Sequence, residues 1–299
     1  MFTVEATHSA IVVGAGPAGM KAATDLANNG VSTALVDDGY MGGLIANVGD
    51  LTGPEGIEGQ SGADVAGILL GNALEAGVDY RMGAAASLEQ HSKLWILPDL
   101  ELSAPNVVLA TGARLAKLGV PGEERLTGFG VSSCAFCDGA LYRGEEVVVV
   151  GGGDAAFQEA LHLATLCKKV QILIRGPEPR ARHEFTTEAE GKTNIEIKTD
   201  TSVLEVVGDT GVDAIDVNCG GSVERIETRA VFVFVGVEPA TELVPTSVAR
   251  DASGALIVNH NCQTSINGLF AIGAARSGHD GQVSGAYADA NLVAAAITG

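Results

Sequence analysis

Basic and aromatic residues are both scarce in this sequence. Lysine and arginine together number 18 against 37 aspartates and glutamates, which gives a formal net charge of −19, and aromatic residues make up only 4%. A surplus of negative charge on this scale argues against binding to nucleic acid or to an anionic membrane surface through broad electrostatic attraction. We therefore expect neither as a partner.

Long hydrophobic runs are missing as well. No apolar stretch approaches the roughly 20 residues that a membrane-spanning helix needs. The first eight residues, MFTVEATH, contain an acidic residue and no lysine or arginine. Neither a signal peptide nor a membrane span is therefore expected.

Cysteine is the third rare residue, with five in 299 residues. So few scattered cysteines do not make a secreted disulfide scaffold, and a reducing cytoplasm is the expected compartment. A zinc site needs roughly four ligands. The six histidines and the three cysteines outside residues 134–137 form no second paired motif, so no metal site is predicted.

Glycine, by contrast, is abundant, and two glycine-rich stretches repeat one pattern. Residues 9–19 are SAIVVGAGPAG and residues 146–156 are EVVVVGGGDAA. Each is a β-branched run, then a Gly-x-Gly-x-x-Gly/Ala turn, then a stretch compatible with a helix, which we predict over 17–28 and 154–167. Another apolar strand follows each copy, so the pattern predicts parallel sheets with a dinucleotide at each turn.

Each residue of the repeated turn has its own task. The first glycine allows the tight turn, the second lets a pyrophosphate approach the backbone, and the third position keeps the helix close to its strand. The candidate nucleotide-binding residues are Gly14, Gly16, Pro17, Ala18 and Gly19 in the first copy and Gly151, Gly153, Asp154, Ala155 and Ala156 in the second.

The strands that follow the two copies predict different nucleotides. Asp37 ends the first of them, where a carboxylate would accept hydrogen bonds from a ribose, as in FAD or NAD sites. The second strand leads into Arg175 and Arg180, with Arg182 as a further candidate. Such arginines would hold the 2′-phosphate of NADPH by charge-assisted bonds. A solvated basic loop is the alternative interpretation.

The order of these motifs predicts the fold class. We expect an α/β protein with two Rossmann-like nucleotide-binding domains of the three-layer ββα type, the second inserted in the first. NVVLATGA at 106–113 and GLFAIGA at 268–274 are further strands that end in glycine turns, and a final helix is predicted over 287–297. The expected boundaries give a discontinuous domain over 1–115 and 246–299, and an inserted domain over 116–245.

A pair of cysteines precedes the second glycine turn. Cys134 and Cys137 stand in SSCAFCDG, and Asp138 follows directly. Such a pair can be half of a metal site, a structural disulfide, or a dithiol that opens and closes during turnover. Disulfide exchange needs a thiolate attacker, and a nearby carboxylic acid can transfer protons. The spacing alone leaves these possibilities open.

Taken together, the motifs resemble the low-molecular-weight thioredoxin reductase family over nearly the whole chain. They are, in order, GAGPAG (14–19), ATGA (110–113), CAFCDG (134–139), GGGDAA (151–156), FVGVEPAT (234–241) and LFAIGA (269–274). The most specific element is CAFCDGALYRGEEVVVVGGGDAA, which joins the cysteine pair to the second glycine turn. The resemblance implies that electrons pass from NADPH to FAD, then to the Cys134–Cys137 disulfide, and then to an external disulfide.

The same resemblance assigns residues and partners. Cys137 would face the flavin, Cys134 would attack the substrate disulfide, and Asp138 would be the general acid. FAD would lie in the discontinuous domain, and NADPH in the inserted domain that carries the cysteines. A thioredoxin-like protein or a small disulfide is the expected substrate, and a homodimer the expected assembly. Further cofactor contacts are expected at Gly42, Gly43, Asp50, Thr111, Gly112, Gly273 and Gln282.

The sequence departs from the family pattern mostly around the flavin. Leu44 stands in place of a glutamine, Asp50 of an asparagine, Ala274 of an aspartate, and Gly281 of the arginine in an Arg-Gln pair. Each change removes a polar contact worth about 0.5–1.5 kcal/mol. We therefore expect FAD to be held less tightly than the family pattern implies.

The family's arginine run is reduced too. His-Arg-Arg-x-x-x-Arg appears here as Ile174-Arg175-Gly176, with Arg180 in the last place. Because two of three arginines are present, only a modest preference for NADPH over NADH is expected.

Two other functions stay open at this point. A flavin-dependent dithiol oxidase would pass electrons from a small dithiol to oxygen without nicotinamide, and a sensor would bind nucleotide without catalysis. Asp138 and the intact GGGDAA favour the reductase, whereas the altered arginines and flavin contacts favour the oxidase. The presence of Cys134, Cys137 and Asp138 together argues against the sensor.

Overall fold

The structure is a computed structural model that describes residues 5–39, 41–49, 51, 57 and 59–299. The helices are α1 (Pro17–Asn28), α2 (Gly62–Glu75), α3 (Glu123–Leu126), α4 (Ala135–Asp138), α5 (Asp154–Ala164), α6 (His183–Glu190) and α7 (Val283–Thr298). Short 3₁₀ helices include Gly43–Asn47, Gly139–Tyr142 and Gly273–Ala275. Within this described part of the chain, no helix is both long and apolar enough to cross a membrane.

The strands are numbered in chain order, here as a group of eight followed by a group of ten. The first group is β1 (Ala10–Val13), β2 (Thr33–Asp37), β3 (Asp79–Met82), β4 (Glu89–His91), β5 (Leu94–Leu97), β6 (Leu102–Ala104), β7 (Asn106–Leu109) and β8 (Ala113–Leu115). The second is β9 (Val131–Ser132), β10 (Glu146–Val150), β11 (Lys169–Leu173), β12 (Ile195–Lys198), β13 (Thr201–Val207), β14 (Ala214–Cys219), β15 (Ser222–Glu227), β16 (Ala230–Val233), β17 (Val237–Pro239) and β18 (Leu269–Ala271).

The chain divides into two compact units. Unit 1 comprises Met1–Arg114 and Glu238–Gly299, and unit 2 comprises Leu115–Val237. The return to unit 1 therefore begins at Glu238, eight residues before the position 246 expected from the sequence. The intervening segment packs into unit 1, because Val244 is 4% exposed and lies in its core.

Unit 1 has three layers around a parallel sheet of order β18-β7-β1-β2-β3. Side chains of β1 alternate between its faces, as the two-residue period of a strand requires. Ala10 and Val12 join the core under α1, α2 and α7, whereas Ile11 and Val13 join the core that includes Trp95 of the antiparallel sheet β4-β5-β6. The sheet is thus buried on both faces.

Unit 2 repeats this plan. Its parallel sheet has the order β12-β11-β10-β16-β9, and β13-β14-β15 form an antiparallel sheet. Val147 and Val149 of β10 pack with Phe157 of α5, whereas Val148 and Val150 pack in the core that includes the antiparallel strands. The predicted fold class, with two Rossmann-like α/β domains and the second inserted in the first, is confirmed.

The ends of α1 agree with those predicted from local sequence, whereas one end each of α5 and α7 differs. α1 begins at Pro17 and ends at Asn28, as predicted, because proline suits the first turn and Gly30 adopts a positive φ of 80° just beyond the end. α5 ends at Ala164 rather than at 167. α7 begins at Val283 rather than at 287, and Gln282 precedes it in an extended conformation at the N-cap position.

Candidate functional site

The first glycine turn lies at the carboxyl end of β1, where ligands bind in open α/β sheets. Gly14 has a φ of 108°, and a Cβ there would meet the carbonyl oxygen of Ala110. A Cβ at Gly19 would meet the carbonyl oxygen of Gly14, so this glycine is what lets α1 pack on the turn. A Cβ at Gly16 would have no atom within 4 Å. The backbone at Gly16 is therefore open to a ligand, and this is the position where a pyrophosphate would have to approach.

Two further residues complete the start of α1. Pro17 is its first residue, and Ala18 is 6% exposed in the core behind the turn. No acidic side chain lies in the first turn of α1. The positive end of the helix dipole is therefore not offset by a nearby carboxylate.

Asp37 occupies the expected position beyond the turn. It ends β2, is 7% exposed, and accepts the Ala15 N–H at 3.1 Å on Oδ1 and the Gly39 N–H at 3.0 Å on Oδ2. These two amides fix the carboxylate and leave lone pairs on both oxygens. A pair of ribose hydroxyls is the ligand that such a fixed carboxylate suits.

Other predicted contacts in unit 1 gather around this turn. Gly42 has a φ of 92° and donates its N–H to the Ala15 carbonyl at 2.8 Å, and a Cβ at Gly43 would lie 3.7 Å from the Cα of Gly16. The Thr111 hydroxyl donates to the Ala240 carbonyl at 2.5 Å, and the Ala240 N–H donates to Gly112. Asp50 lies outside the described residues.

The Gly273–Ala275 turn is held by a group that sequence reasoning missed. Asp289 of α7 is 2% exposed; its Oδ2 accepts the Gly273 N–H at 2.9 Å and Arg276 Nε at 2.7 Å, and its Oδ1 accepts Arg276 Nη2 at 2.7 Å. Bonding to this carboxylate raises the pKa of Arg276. Removing one partner of such a buried pair typically costs about 3–5 kcal/mol.

The loop after this turn brings His279 and Gln282 to the start of α7. The Gly281 N–H donates to His279 Nδ1 at 3.0 Å, so the neutral ring carries its proton on Nε2. Burial lowers the pKa of His279. Gln282 is exposed at the N-cap of α7, and its backbone N–H donates to Asp280 Oδ1. Among the described residues its amide side chain has no hydrogen-bond partner, so it could approach a bound ligand.

The second glycine turn lies at the end of β10 in unit 2. Gly151 has a φ of 151°, and a Cβ there would meet the Phe234 carbonyl oxygen. A Cβ at Gly153 would have no atom within 4 Å, as at Gly16. Ala156 is fully buried, whereas Ala155 is exposed. The two turns therefore share one geometry, and both fit a dinucleotide pyrophosphate.

The three arginines near this turn differ in their partners. Arg182 Nε bonds to Asp154 Oδ2 at 2.7 Å and its Nη1 pairs with Glu184 at 2.9 Å, so both of its edges are occupied. Arg175 and Arg180 are exposed, and neither has an ion pair within the described ranges. The Arg180 N–H donates to the Gly152 carbonyl at 2.6 Å, which anchors this arginine to the glycine turn. Arg175 and Arg180 are thus free to bind a phosphate, and Arg182 is already paired.

The redox helix α4 carries the cysteine pair. Cys134 and Cys137 form a disulfide with a Cα–Cα distance of 5.3 Å. Cys134 is the N-cap of α4, and its sulfur accepts the Cys137 N–H at 3.1 Å. Cys134 is 7% exposed, whereas Cys137 is exposed. A sulfur at a helix N-cap that accepts an amide is stabilised as a thiolate.

Asp138 is held beside this pair by Ser132, which sequence reasoning did not single out. The Ser132 hydroxyl donates to Asp138 Oδ2 at 2.6 Å and accepts the Cys134 N–H at 3.1 Å. Burial raises the pKa of Tyr142, and the charge of Asp138 adds to this effect. The three residues Ser132, Cys134 and Asp138 therefore form one hydrogen-bonded group.

Glu159 also contacts the redox helix. Its Oε2 accepts the Ala135 N–H at 3.0 Å. Burial raises the pKa of Glu159, although hydrogen bonding from the Ala135 amide opposes the rise. No spacing rule would have found this contact, because it joins residues of α4 and α5 that meet only in the folded unit.

Known proteins resemble the whole chain. The family described as pyridine nucleotide-disulphide oxidoreductase matches residues 8–290. A thioredoxin reductase of Bacillus subtilis (strain 168) is 31% identical over 98% of this chain and 94% of its own length, and one of Mycolicibacterium smegmatis is 35% identical over 91% and 90%.

Solved structures agree with these sequence matches. The thioredoxin reductase of Lactococcus lactis has a TM-score of 0.93 at 30% identity, covering 97% of this chain and 98% of that one. The thioredoxin reductase of T. acidophilum has a TM-score of 0.91 at 30% identity, covering 97% of both chains. The similarity thus extends over both units.

Proposed function

The chain belongs to the pyridine nucleotide-disulphide oxidoreductase family, and we propose from this how its residues pass electrons to a disulfide. The protein is an FAD-dependent disulfide oxidoreductase of the thioredoxin-reductase type that uses NADPH, as the sequence motifs predicted. We propose that Cys134 and Cys137 are its redox-active pair. The disulfide on the redox helix, with the Cys137 amide bonded to the Cys134 sulfur, is the observation that carries this proposal.

We assign the nucleotides to the units as follows. Unit 1 would hold FAD through the Gly14–Gly19 turn, Asp37 and the Gly273 turn, and unit 2 would hold NADPH through the Gly151–Ala156 turn. When bound, FAD would accept a hydride equivalent from NADPH and transfer two electrons to a disulfide. Arg175 and Arg180 support the choice of NADPH, because both are exposed and free of ion pairs among the residues described.

The reactions of the cysteines then balance as two exchanges. Two electrons and two protons open the Cys134–Cys137 disulfide to a dithiol. Cys134 passes its proton to Asp138 and attacks the external disulfide as a thiolate, which forms a mixed disulfide. The substrate thiolate that is released takes this proton back from Asp138. Cys137 then attacks the Cys134 sulfur, which restores the internal disulfide, and the proton of Cys137 goes to the second substrate thiolate.

The attacking role of Cys134 has support in unit 2 itself. The N-cap position and the Cys137 amide stabilise a thiolate on Cys134, which suits the attacking residue. Cys134 is nevertheless the less exposed of the two sulfur-bearing residues. Attack on a protein disulfide therefore requires the partner to approach close to the N-terminus of the redox helix.

A thioredoxin-like protein is the substrate that we propose, with a small disulfide as the second choice. The relatives in Bacillus subtilis and Mycolicibacterium smegmatis are named thioredoxin reductases, which supports a protein substrate. We further propose a cytoplasmic homodimer. The small number of cysteines supports the reducing compartment.

An anaerobic titration of the purified protein tests this proposal. NADPH should reduce the bound flavin quickly, and a following pulse of oxidised thioredoxin should reoxidise it in a 1:1 ratio of NADPH to disulfide. NADH is the matched nucleotide control and should react more slowly. No response of the flavin to either nucleotide, together with oxygen consumption on addition of a dithiol, would favour a dithiol oxidase instead.

A further inference from the structure

Two amides in the first turn of the redox helix donate to two different acceptors. The Cys137 N–H donates to the Cys134 sulfur at 3.1 Å. The Ala135 N–H donates to Glu159 Oε2 at 3.0 Å. A helix of four residues has too few internal bonds to fix itself, so these contacts decide its orientation.

The carboxylate comes from the helix that starts at the second glycine turn. Glu159 lies five residues after Asp154, the first residue of α5. Phe157 and Ala160, its near neighbours on α5, are fully buried in the core of unit 2, which fixes the backbone from which Glu159 projects. Glu159 therefore approaches the redox helix from a rigid element.

We propose that Glu159 is a positioning residue of the redox centre, which caps the redox helix from α5 and raises the pKa of the Cys134 thiol through its negative charge. The inference rests on the proposed redox role of Cys134 and Cys137. Glu159 acts on the redox centre through the backbone of Ala135.

The direction of the effect follows from electrostatics. Helix amides that face the Cys134 sulfur favour the thiolate, whereas a carboxylate at the same helix end disfavours it. A less stabilised thiolate makes the dithiol a stronger reductant and its sulfur a better nucleophile. Glu159 would thus balance the acidifying effect of the N-cap and keep the pair reducing.

Other charged or titratable groups surround the same helix, and the variants that test the proposal should leave these groups unchanged. Asp138 lies on α4 and is bonded to Ser132, and Tyr142 follows on the next 3₁₀ helix. His162 of α5 stacks against Phe136 with ring centroids 5.4 Å apart, and burial lowers its pKa. Among these four groups, only Glu159 accepts the N–H of Ala135, the first residue of the helix.

The test compares Glu159→Gln, Glu159→Asp and Glu190→Gln. Glutamine keeps an acceptor oxygen and removes the charge, aspartate keeps the charge, and Glu190 is an exposed carboxylate of α6 in the same unit. Each substitution is placed in a Cys137→Ser background, and the alkylation rate of Cys134 by iodoacetamide is followed against pH by peptide mass spectrometry.

We expect Glu159→Gln to lower the midpoint of the alkylation profile by about one pH unit. Because Glu159→Asp keeps the charge, its midpoint should stay close to that of the parent. Glu190→Gln should match the parent. With both cysteines present, the equilibrium of Glu159→Gln with dithiothreitol should move about tenfold towards the dithiol, which corresponds to about 30 mV. Equal midpoints in Glu159→Gln and the parent would overturn the proposal, even if the melting temperature fell.

Hydrogen exchange on the unmodified protein gives a second test that needs no variant. The Ala135 amide should exchange slowly for a helix N-terminus, because Glu159 accepts it. Fast exchange there would overturn the capping role. None of these measurements uses a nicotinamide or a substrate disulfide, so a failure of the proposed reductase function would show separately, as absent turnover.

Discussion

At the residue scale, the chemistry depends on which sulfur carries the negative charge after the disulfide opens. Cys134 is at the helix N-cap with an amide on its sulfur, whereas the structure gives Cys137 no comparable contact among the described hydrogen bonds. Ser132 links the Cys134 amide to the Asp138 carboxylate, which supports the proposed roles of these two residues. The redox pair, its acid and their support therefore lie within one short segment.

The cysteines give the first prediction. Cys134→Ser and Cys137→Ser should each lower turnover with a disulfide substrate by at least about 1,000-fold, because each removes one of the two sulfurs that exchange. Reduction of the flavin by NADPH should persist in both variants. Cys219→Ser is the control, since Cys219 is free and lies on β14. Full turnover in Cys134→Ser would show that the roles are assigned wrongly.

The arginines give the second prediction. A 2′-phosphate carries nearly two negative charges, and each arginine bonded to it contributes about 1.5–3 kcal/mol. The unmodified protein should prefer NADPH over NADH by about one to two orders of magnitude in kcat/KM. Changing Arg175 and Arg180 together to alanine should abolish this preference and leave NADH kinetics nearly unchanged.

Arg182→Ala is the matched control for that experiment. Because Arg182 is paired with Asp154 and Glu184, its loss should change the kinetics with both nucleotides by a similar factor. If Arg182→Ala alone abolished the NADPH preference, the assignment of the phosphate to Arg175 and Arg180 would be wrong.

At the scale of the elements, sequence patterns predicted those features that depend on neighbouring residues. The strand, glycine turn and helix order fixes α1 at Pro17–Asn28, because each boundary signal lies within a few residues of the boundary itself. The contacts of Asp289 with Arg276 and of Glu159 with Ala135 could not be predicted in this way. They join residues that only the packing of helices brings together.

The Gly273–Ala275 turn gives a prediction at this scale. Ala274 stands where the family pattern has an aspartate, so Ala274→Asp should add one polar contact and tighten FAD binding about twofold to tenfold. The measurement is the dissociation constant of FAD from flavin fluorescence. Ala252→Asp, an exposed position of the same unit, controls for the added charge. Unchanged affinity in Ala274→Asp would mean that another group already makes this contact.

At the scale of the whole molecule, two units of the same design divide the tasks. The insertion of unit 2 could be predicted from the order of the two glycine turns, but its second boundary could not. Arg250 donates to the carbonyls of Thr241, Val244, Pro245 and Val248, which folds that segment into unit 1. A proline-containing stretch that resembles a linker in sequence is therefore part of a core.

Net charge gives a prediction for the whole chain. At −19 the folded protein repels itself, and salt shortens the range of that repulsion from about 10 Å at 0.1 M to about 3 Å at 1 M. The melting temperature should therefore rise between 0.05 and about 1 M NaCl, and equally in KCl. A melting temperature that fell with either salt would show that ion pairs outweigh the surplus charge.

Site-resolved labelling of thiols tests the central claim most directly. The FAD-loaded protein is mixed with NADPH without oxygen, quenched with iodoacetamide, and digested for mass spectrometry. We expect alkylation to appear at Cys134 and Cys137 together, at up to one pair per NADPH, and to disappear when a disulfide substrate is added before the quench. If NADPH reduced the flavin but left Cys134 and Cys137 unlabelled, the proposed electron route through this pair would be contradicted.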